Sequence, residues 1–299
     1  MSVLRSLLRA GAKAVEGTVA WGEMVVDDFV HLGRTLDGND IDAWDPDYIR
    51  RVLPIWRAVM GNYFRGEVTG LDNIPAEGPS LLVGNHSGGT MIADTFVFAS
   101  EFYAHFGPER RFHQLAHDIA ARMPGTGISR WGTVAASHDN ARKAFDKGAP
   151  VLVYPGGDYE TFRPSWHSDQ IEFGGRRGFV RLALERGVPI VPVVAIGGQE
   201  TALFLTRGER VAKATGWADL TRIKVLPVAL APPFGLSLLD LPPRLPLPAK
   251  ITIEVLPPID LLDRFGPNPD HEAVYAEVTG EMQAALSSLQ EQRAMPVVG

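Results

Sequence analysis

The chain has 299 residues, 45% of them hydrophobic and 21% charged, a composition typical of an ordered globular protein rather than a disordered or fibrous one. Its formal net charge is −6, with 35 acidic against 29 basic residues, which argues against a nucleic-acid-binding protein. The absence of cysteine excludes disulfides, thiolate metal sites and a cysteine nucleophile. We expect one catalytic domain, residues 64–299, after an N-terminal helical segment, residues 1–63.

The N-terminal segment has a helical pattern, because apolar and small residues recur every three or four positions from Leu4 to Leu36. Arg5, Arg9 and Lys13 lie four apart on a neighbouring face and interrupt every apolar run, so we expect no secretion signal. The pattern predicts one or two amphipathic helices that contact anionic lipid headgroups, pack on the catalytic domain, or do both.

No segment of the sequence is a good candidate for crossing a membrane. The longest weakly charged stretch, from Ser80 to Ser100, contains Asn85, His86 and Asp94. Any contact with a membrane is therefore expected to be peripheral, and the cytoplasmic face is the expected location.

Apolar strands alternate with helices over the rest of the chain. Asp45 and Pro46 predict the start of a helix that continues to about Tyr63. The segments that follow are strands at 64–68, 80–84, 151–154, 188–196 and 251–255, with helices at about 176–186 and 270–293. The alternation predicts an α/β fold with a mostly parallel or mixed sheet flanked by helices. Pro189 and Pro192 indicate that their strand begins late or lies at an edge.

The segment between Lys224 and Lys250 is unusually apolar, with Asp240 and Arg244 as its only charges. Its many prolines predict a long loop without regular structure. Such a loop could cover a groove for a lipid tail, contact the bilayer, or pack on the domain.

The segment from Gly84 to Asp94 is the strongest candidate for catalysis, because His86 leaves a buried strand directly before glycines and a carboxylate follows eight positions later. Transfer to a hydroxyl needs a base, and a neutral imidazole needs an acceptor that fixes its tautomer. In a continuous helix eight residues would span about 12 Å, so the turn at Ser87 must fold back. We predict His86 as general base and Asp94 as its orienting partner; the alternative is a structural histidine with a surface aspartate.

A second strand, from Val151, ends in a similar way, at Tyr154-Pro155-Gly156-Gly157, and is followed by Asp158 and Glu160. Backbone N–H groups at the glycines could hold an oxyanion or a phosphate.

These blocks, in the order N-H at 85–86, Y-P-G-G at 154–157 and R-R-G-F-V-R-L-A-L-E-R-G-V-P-I-V-P-V at 176–193, resemble the glycerolipid acyltransferase superfamily, which includes the lysophosphatidic acid acyltransferases. The resemblance spans about residues 60 to 260. It implies an O-acyltransferase that moves a fatty acyl group from acyl-CoA or acyl carrier protein to a lysophospholipid or another glycerolipid. It also implies direct attack of the acceptor hydroxyl on the thioester, with no covalent acyl-enzyme, no metal and no cofactor beyond the donor.

Three departures from the family pattern refine this hypothesis. The spacing between His86 and Asp94 is three residues longer than in the common block, which resembles the branch nearer to diacylglycerol acyltransferase-like and phytyl ester synthase-like members. Gly156 replaces the usual glutamate, whose role either passes to Asp158 or Glu160 or is absent. His138 aligns with an arginine that is expected to hold the acceptor phosphate.

Other arginines remain as phosphate ligands or, alternatively, as solvated surface cations: Arg142, Arg163, Arg176 and Arg177. The full substrate-binding prediction is Tyr154, Gly156, Gly157, Asp158, Glu160, Arg163, Arg176 and Arg177.

Two other functions stay open. A lipid-ester hydrolase could use the same base on water, although no G-x-S-x-G turn is present for an ordinary α/β-hydrolase. The departures at Gly156 and His138 also suit a non-catalytic lipid-binding protein on the same scaffold. Ser87 is expected to turn the chain rather than react, and His117 with Asp118 is expected to support structure.

Overall fold

The computed structural model of the protein describes residues 37–122, 127–217, 224–240 and 244–295. The helical pattern predicted for residues 4–36 lies outside these ranges, and the predicted domain boundary after residue 63 also stays a prediction. Within the described ranges, no helix is both long enough and apolar enough to span a bilayer.

Ten strands and nine α-helices are present in the described residues. The strands are β1 Glu67–Thr69, β2 Leu81–Gly84, β3 His113–Ala116, β4 Thr133–Ala135, β5 Val151–Val153, β6 Ile190–Ile196, β7 Leu203–Thr206, β8 Val228–Ala231, β9 Gly235–Leu238 and β10 Thr252–Val255. The helices are α1 Pro46–Asn62, α2 Ala93–Phe106, α3 Asp118–Ala121, α4 His138–Asp146, α5 Gly157–Thr161, α6 Gly178–Arg186, α7 Glu209–Ala214, α8 Leu261–Phe265 and α9 His271–Glu291.

A seven-stranded sheet forms the centre of the fold, in the order β1-β10-β6-β2-β5-β3-β4. Neighbouring strands are parallel except for the antiparallel pair β10 and β6. The predicted α/β class with a mostly parallel or mixed sheet is confirmed. Because β2 lies inside the sheet, Leu81, Leu82 and Val83 are all fully buried, as expected for a parallel strand covered on both faces.

Helices cover both faces of this sheet. One core joins α1 and α2 to the face that carries Leu82, and Phe98 and Phe102 are among its buried residues. The other core joins α4, α6 and α9 to the face that carries Leu81 and Val83. Side chains that alternate along one strand therefore stabilise two separate helix layers.

The predicted elements are largely confirmed, with small shifts at their ends. Helix α1 begins after Asp45, whose side chain accepts a hydrogen bond from the N–H of Tyr48, as the Asp-Pro start predicted. The strand that contains Pro192 begins late, at Ile190 and after Pro189, as one of the two alternatives predicted. It does not lie at an edge, because β2 and β10 flank it.

The prediction that residues 224–250 lack regular structure is wrong. This segment contributes β8 and β9, which join β7 in a three-stranded antiparallel sheet. The inner face of this small sheet is buried with Phe204, Ala229 and Ala231 in a third core. Asp240 and Arg244, which follow the small sheet in the sequence, are both buried.

Candidate functional site

The site lies where β2 ends, in the interior of the large sheet. Asn85, the first residue after the strand, is fully buried and pairs with Ala195 on β6: its Nδ2 donates to the carbonyl oxygen at 2.8 Å and its Oδ1 accepts from the N–H at 2.7 Å. His86 follows at the carboxyl end of the strands, the edge at which open α/β sheets bind ligands.

The turn after His86 reverses the chain through two glycines. Gly88 and Gly89 have φ of 89° and 64°, in the left-handed region that favours glycine. A methyl group at Gly89 would lie 2.1 Å from Oδ2 of Asp240, so that position has no room for a side chain. The reversal leads into α2, whose first turn carries Asp94.

His86 and Asp94 are in contact, as the predicted pairing requires. Nδ1 of His86 lies 3.4 Å from Oδ2 of Asp94, and the same oxygen accepts from the N–H of Ser87 at 2.9 Å and from its hydroxyl at 3.2 Å. The Asp94 side chain is 1% exposed, whereas that of His86 is 13% exposed. An Nδ1–H directed at Asp94 leaves Nε2 as the basic nitrogen of the imidazole.

The ring of Tyr154 holds the imidazole from one side. The two rings are stacked, with centroids 4.2 Å apart and planes 17° from parallel. The hydroxyls of Tyr154 and Thr95 lie 2.9 Å apart, and Thr95 also donates to Asp94 through its N–H at 2.7 Å. Burial, followed by the negative charge of Asp94, raises the pKa of Tyr154. Tyr154 thus stays neutral and fixes the plane of the His86 ring.

Glu160 and Arg163 hold the backbone of His86 on both sides of its Cα, at its N–H and at its carbonyl. The N–H of His86 donates to Oε2 of Glu160 at 2.9 Å, and its carbonyl accepts from Arg163 at 3.1 Å. The two side chains form an ion pair at 3.5 Å and are 0% and 1% exposed. Burial raises the pKa of Glu160, opposed by the charge of Arg163, and burial lowers the pKa of Arg163.

These contacts place Glu160 and Arg163 behind the histidine rather than at a surface open to substrate. The alternative that Arg163 is a solvated surface cation is wrong, because its guanidinium is buried among backbone carbonyls and Glu160. Their predicted substrate-binding role is replaced by a role in positioning His86.

Glu160 also explains why residue 156 is glycine. A methyl group at Gly156 would lie 2.4 Å from both Cβ and Oε2 of Glu160. The carboxylate of Glu160 therefore occupies the space into which a side chain at position 156 would extend. Of the two candidates for the missing family glutamate, Glu160 rather than Asp158 takes this position.

At the glycine turn, one of the two N–H groups predicted to hold an anion is engaged in the fold. The N–H of Gly157 donates to the carbonyl of Tyr154 at 3.1 Å, so it is engaged within the turn. The carbonyls of Pro155 and Gly156 accept from the guanidinium of Arg176 at 3.2 and 2.8 Å. The cation beside the turn is therefore Arg176.

Arg176 and Arg177 diverge at the surface. Arg176 is 41% exposed and pairs with Asp158 at 3.3 Å, while Asp158 also accepts from the N–H of Lys224. Arg177 is 49% exposed and pairs with Glu272 on α9 at 2.6 Å. The structure thus brings Arg176 to the glycine turn and directs Arg177 to the C-terminal helix.

The remaining histidines of the prediction lie on other elements. His138 is the first residue of α4, with Nδ1 3.5 Å from the guanidinium of Arg181, and burial followed by this charge lowers the pKa of His138. His117 is exposed and its side chain accepts from the N–H of Ile119 at the start of α3, a structural contact.

Two charged residues that follow the small sheet, Asp240 and Arg244, hold the turn after His86, and this role was not predicted from the sequence. Asp240 accepts from the N–H of Thr90 at 2.6 Å, and Arg244 donates to the carbonyl of Gly88 at 2.6 Å. Asp240 and Arg244 also pair with each other, with side chains 0% and 3% exposed. The sequence signal was their position, four residues apart, as the only charges in an apolar segment.

Comparison with known proteins gives a consistent assignment. Residues 65–196 match a family model described as Acyltransferase. The chain is 28% identical over 261 residues to an uncharacterised protein of Mycobacterium tuberculosis, covering 85% of this chain and 70% of that protein. It is 27% identical over 147 residues to the human DGAT1/2-independent enzyme synthesizing storage lipids, covering 48% of this chain and 44% of that enzyme.

The crystal structure of the 1-acyl-sn-glycerophosphate (LPA) acyltransferase PlsC from Thermotoga maritima has the same fold, with a TM-score of 0.52 over 94% of this chain and 99% of that chain at 15% identity. The fold and the family-model match together define an acyltransferase, an enzyme that transfers acyl groups. These findings support the resemblance of the motifs to the glycerolipid acyltransferase superfamily.

Proposed function

We propose that this enzyme transfers a fatty acyl group from acyl-CoA or acyl carrier protein to the hydroxyl of a lysophospholipid or another glycerolipid, peripherally at a membrane on its cytoplasmic face. The observation that carries the proposal is the contact between His86 and Asp94 at the carboxyl end of β2. A base held by a buried carboxylate suits removal of a proton from a hydroxyl.

The proposed reaction has two steps around one tetrahedral centre. Nε2 of His86 takes the proton of the acceptor hydroxyl while the oxygen attacks the thioester carbonyl. Asp94 stabilises the imidazolium that forms, and collapse of the tetrahedral intermediate breaks the carbon–sulfur bond. The imidazolium then returns the proton to the leaving thiolate, so the products are the new ester and the free thiol, and no metal or further cofactor takes part.

The other residues of the site have supporting roles in this proposal. Glu160 and Arg163 fix the backbone of His86, and Tyr154 fixes its ring. Arg176 is the exposed cation beside the glycine turn and is the candidate ligand for a phosphate of the donor or the acceptor. Because Asp158 already pairs with Arg176, a phosphate would compete with that carboxylate for the guanidinium.

Product analysis with purified protein tests the proposal. Acyl-CoA labelled in its acyl chain is supplied with and without a panel of lysophospholipids and other glycerolipids, and labelled ester and free fatty acid are separated. Acceptor-dependent ester supports acyl transfer, whereas free fatty acid formed equally without acceptor supports hydrolysis. If wild type forms neither product with any donor and acceptor, the lipid-binding alternative gains.

Two histidine variants test the assigned base. We expect His86→Ala to lower the rate about 10²- to 10⁴-fold, the range for loss of a general base. His117→Ala is the matched control, since His117 also precedes an aspartate but only contacts the start of α3, and it should leave the rate unchanged. Equal rates for wild type and His86→Ala would show that His86 is not the base.

A further inference from the structure

The small sheet has an apolar face directed outward. Leu203 on β7, Leu230 on β8 and Leu236 on β9 are direct cross-strand neighbours. Since paired residues of antiparallel strands share a face, and Leu238 is two residues beyond Leu236, all four side chains lie on one side of the sheet. We call these four residues, with Phe234 and Leu245, the leucine face.

The leucine face is exposed to an unusual degree. Leu236 and Leu238 are 65% and 63% exposed, and Leu203 and Leu230 are 42% and 44% exposed. Phe234 lies in the turn between β8 and β9, and the N–H of Leu245 donates to the carbonyl of Pro232 beside that turn. The solvent face of an antiparallel sheet normally carries polar residues, and a contiguous apolar patch marks an interaction site.

The opposite face of the same sheet is already buried. Phe204, Ala229 and Ala231 pack in the third core, with exposures of 0%, 1% and 6%. The outer leucines are therefore not needed to fold the sheet, and their apolar character calls for a partner outside the described part of the chain.

The charges of this region favour a lipid surface as that partner. Strands β7, β8 and β9 and the turn between β8 and β9 contain no charged residue. Exposed charged residues follow at one end, on α7 just after β7, where the cations Arg210 and Lys213 outnumber the acidic Glu209. An uncharged apolar surface beside cations suits hydrocarbon below anionic headgroups.

The leucine face is also connected to the catalytic turn. Asp240, two residues after the end of β9, accepts from the N–H of Thr90, and a methyl group at Gly89 would lie 2.6 Å from the ring of Phe204 on the inner side of β7. A membrane bound at the leucine face would thus lie against the element that holds the turn after His86.

We propose that the leucine face of β7, β8 and β9 docks this protein on a lipid bilayer containing anionic lipids. The proposal rests on the proposed function in that a lipid acceptor would be met at a membrane. The bilayer buries the six apolar side chains, and Arg210 and Lys213 meet anionic headgroups. A second copy of the chain on this face would be a different result, and the experiment distinguishes it.

The test is flotation of the full chain with vesicles of phosphatidylcholine and phosphatidylglycerol. We expect the double variant Leu230→Ser and Leu236→Ser to bind about tenfold or more weakly, because each removes an apolar side chain from the interface. Leu262→Ser is the matched control, since Leu262 is 57% exposed on α8, outside the leucine face, and should bind like wild type. Circular dichroism confirms that each variant is folded.

Binding of the double variant equal to wild type would overturn the proposal. Light scattering that shows a wild-type dimer and a monomeric double variant would also overturn it, in favour of a second copy. Flotation measures binding to vesicles and needs no catalysis. If the double variant loses binding and the wild type shows no acyl transfer, the docking proposal stands and only the proposed function is rejected. With activity present, we expect the double variant to lose the reaction with vesicle-borne acceptor and keep that with a monomeric short-chain lysophospholipid.

Discussion

The carboxylate of Glu160 fills the space next to Gly156, where a methyl group would lie 2.4 Å from Oε2. The two positions are therefore coupled: a side chain at residue 156 requires the removal of the one at residue 160. From this space the carboxylate reaches both the N–H of His86 and the guanidinium of Arg163.

Exchanging the two residues tests this coupling. Gly156→Glu alone should destabilise the fold by about 1–3 kcal/mol through overpacking. Glu160→Gly alone should cost about 3–5 kcal/mol, because it leaves the buried Arg163 unpaired. The double variant places a carboxylate back near Arg163 without the clash, so we expect it to be more stable and more active than the sum of the single changes predicts. Urea unfolding and acyl-transfer rates of all four proteins measure the coupling, and simple additivity would show that the positions are independent.

Asp94→Asn should impair the reaction without unfolding the protein. The amide oxygen can still accept from the N–H of Ser87, but the charge that stabilises the imidazolium is lost. We expect the maximal rate to fall about 10²- to 10⁴-fold. The control is Asp158→Asn, which loosens Arg176 but does not contact His86. A larger loss in the Asp158 variant than in the Asp94 variant would contradict the assignment of the orienting carboxylate.

The pair formed by Asp240 and Arg244 should stabilise the turn after His86. Asp240→Asn leaves a buried guanidinium without its counter-charge, and we expect a loss of about 3–5 kcal/mol in the free energy of unfolding. The variant Asp240→Asn with Arg244→Met removes both charges and should recover part of this loss. Denaturant titration of the wild type and both variants is the measurement. If the double variant is the less stable of the two, the charge-pair explanation is wrong.

His113 should make the protein sensitive to mild acid. It is fully buried on β3, Nδ1 lies 3.0 Å from the carbonyl oxygen of Gly132, and burial lowers the pKa of His113 to about 4. Between pH 6.5 and pH 4, His113 is protonated in the unfolded chain but neutral in the folded protein. Its full contribution to the free energy of unfolding is therefore present above pH 6.5 and is lost as the pH falls toward 4. From pH 6.5 to 5 this amounts to about 2 kcal/mol.

The variant His113→Asn isolates that contribution. Its amide can replace the Nδ1–H donor to Gly132 but cannot titrate. We expect the free energy of unfolding of wild type to fall about 2 kcal/mol more than that of the variant between pH 6.5 and 5, as measured by urea unfolding at each pH. Parallel pH dependences of the two proteins would contradict the buried neutral histidine.

The sequence was informative where local patterns determine structure. The Asp45-Pro46 start, the apolar run into Gly84 and the glycines after His86 each have a local physical cause, and the fold class followed from their alternation. The position of Pro192 inside the sheet could not be predicted from the sequence. Its carbonyl accepts from the N–H of Leu256, and its ring nitrogen points to the same side of β6, just where β10 ends. A proline is tolerated there inside the sheet, which only the register reveals.

The features that the sequence did not predict depend on contacts between distant segments of the chain. The strands at 228–231 and 235–238 were missed because their prolines suggested a loop, whereas Pro232 and Pro233 lie in the turn between the strands. The contact of Asp240 with Thr90 joins residues 150 positions apart. The contact of Glu160 with the N–H of His86 likewise joins residues 74 positions apart, so the sequence predicts a substrate ligand where the fold has a buried carboxylate.

The hydrogen bonds of the Asn85 amide bear on whether the enzyme loses activity before it unfolds on heating. By pairing with both the N–H and the carbonyl of Ala195, this side chain continues the hydrogen-bond ladder of β2 one residue past Gly84. His86 is thus attached to the most protected part of the sheet rather than to a surface loop that opens by itself. Heat should therefore not inactivate this site before the molecule melts, and residual activity and the native circular dichroism signal should disappear over the same interval of temperature.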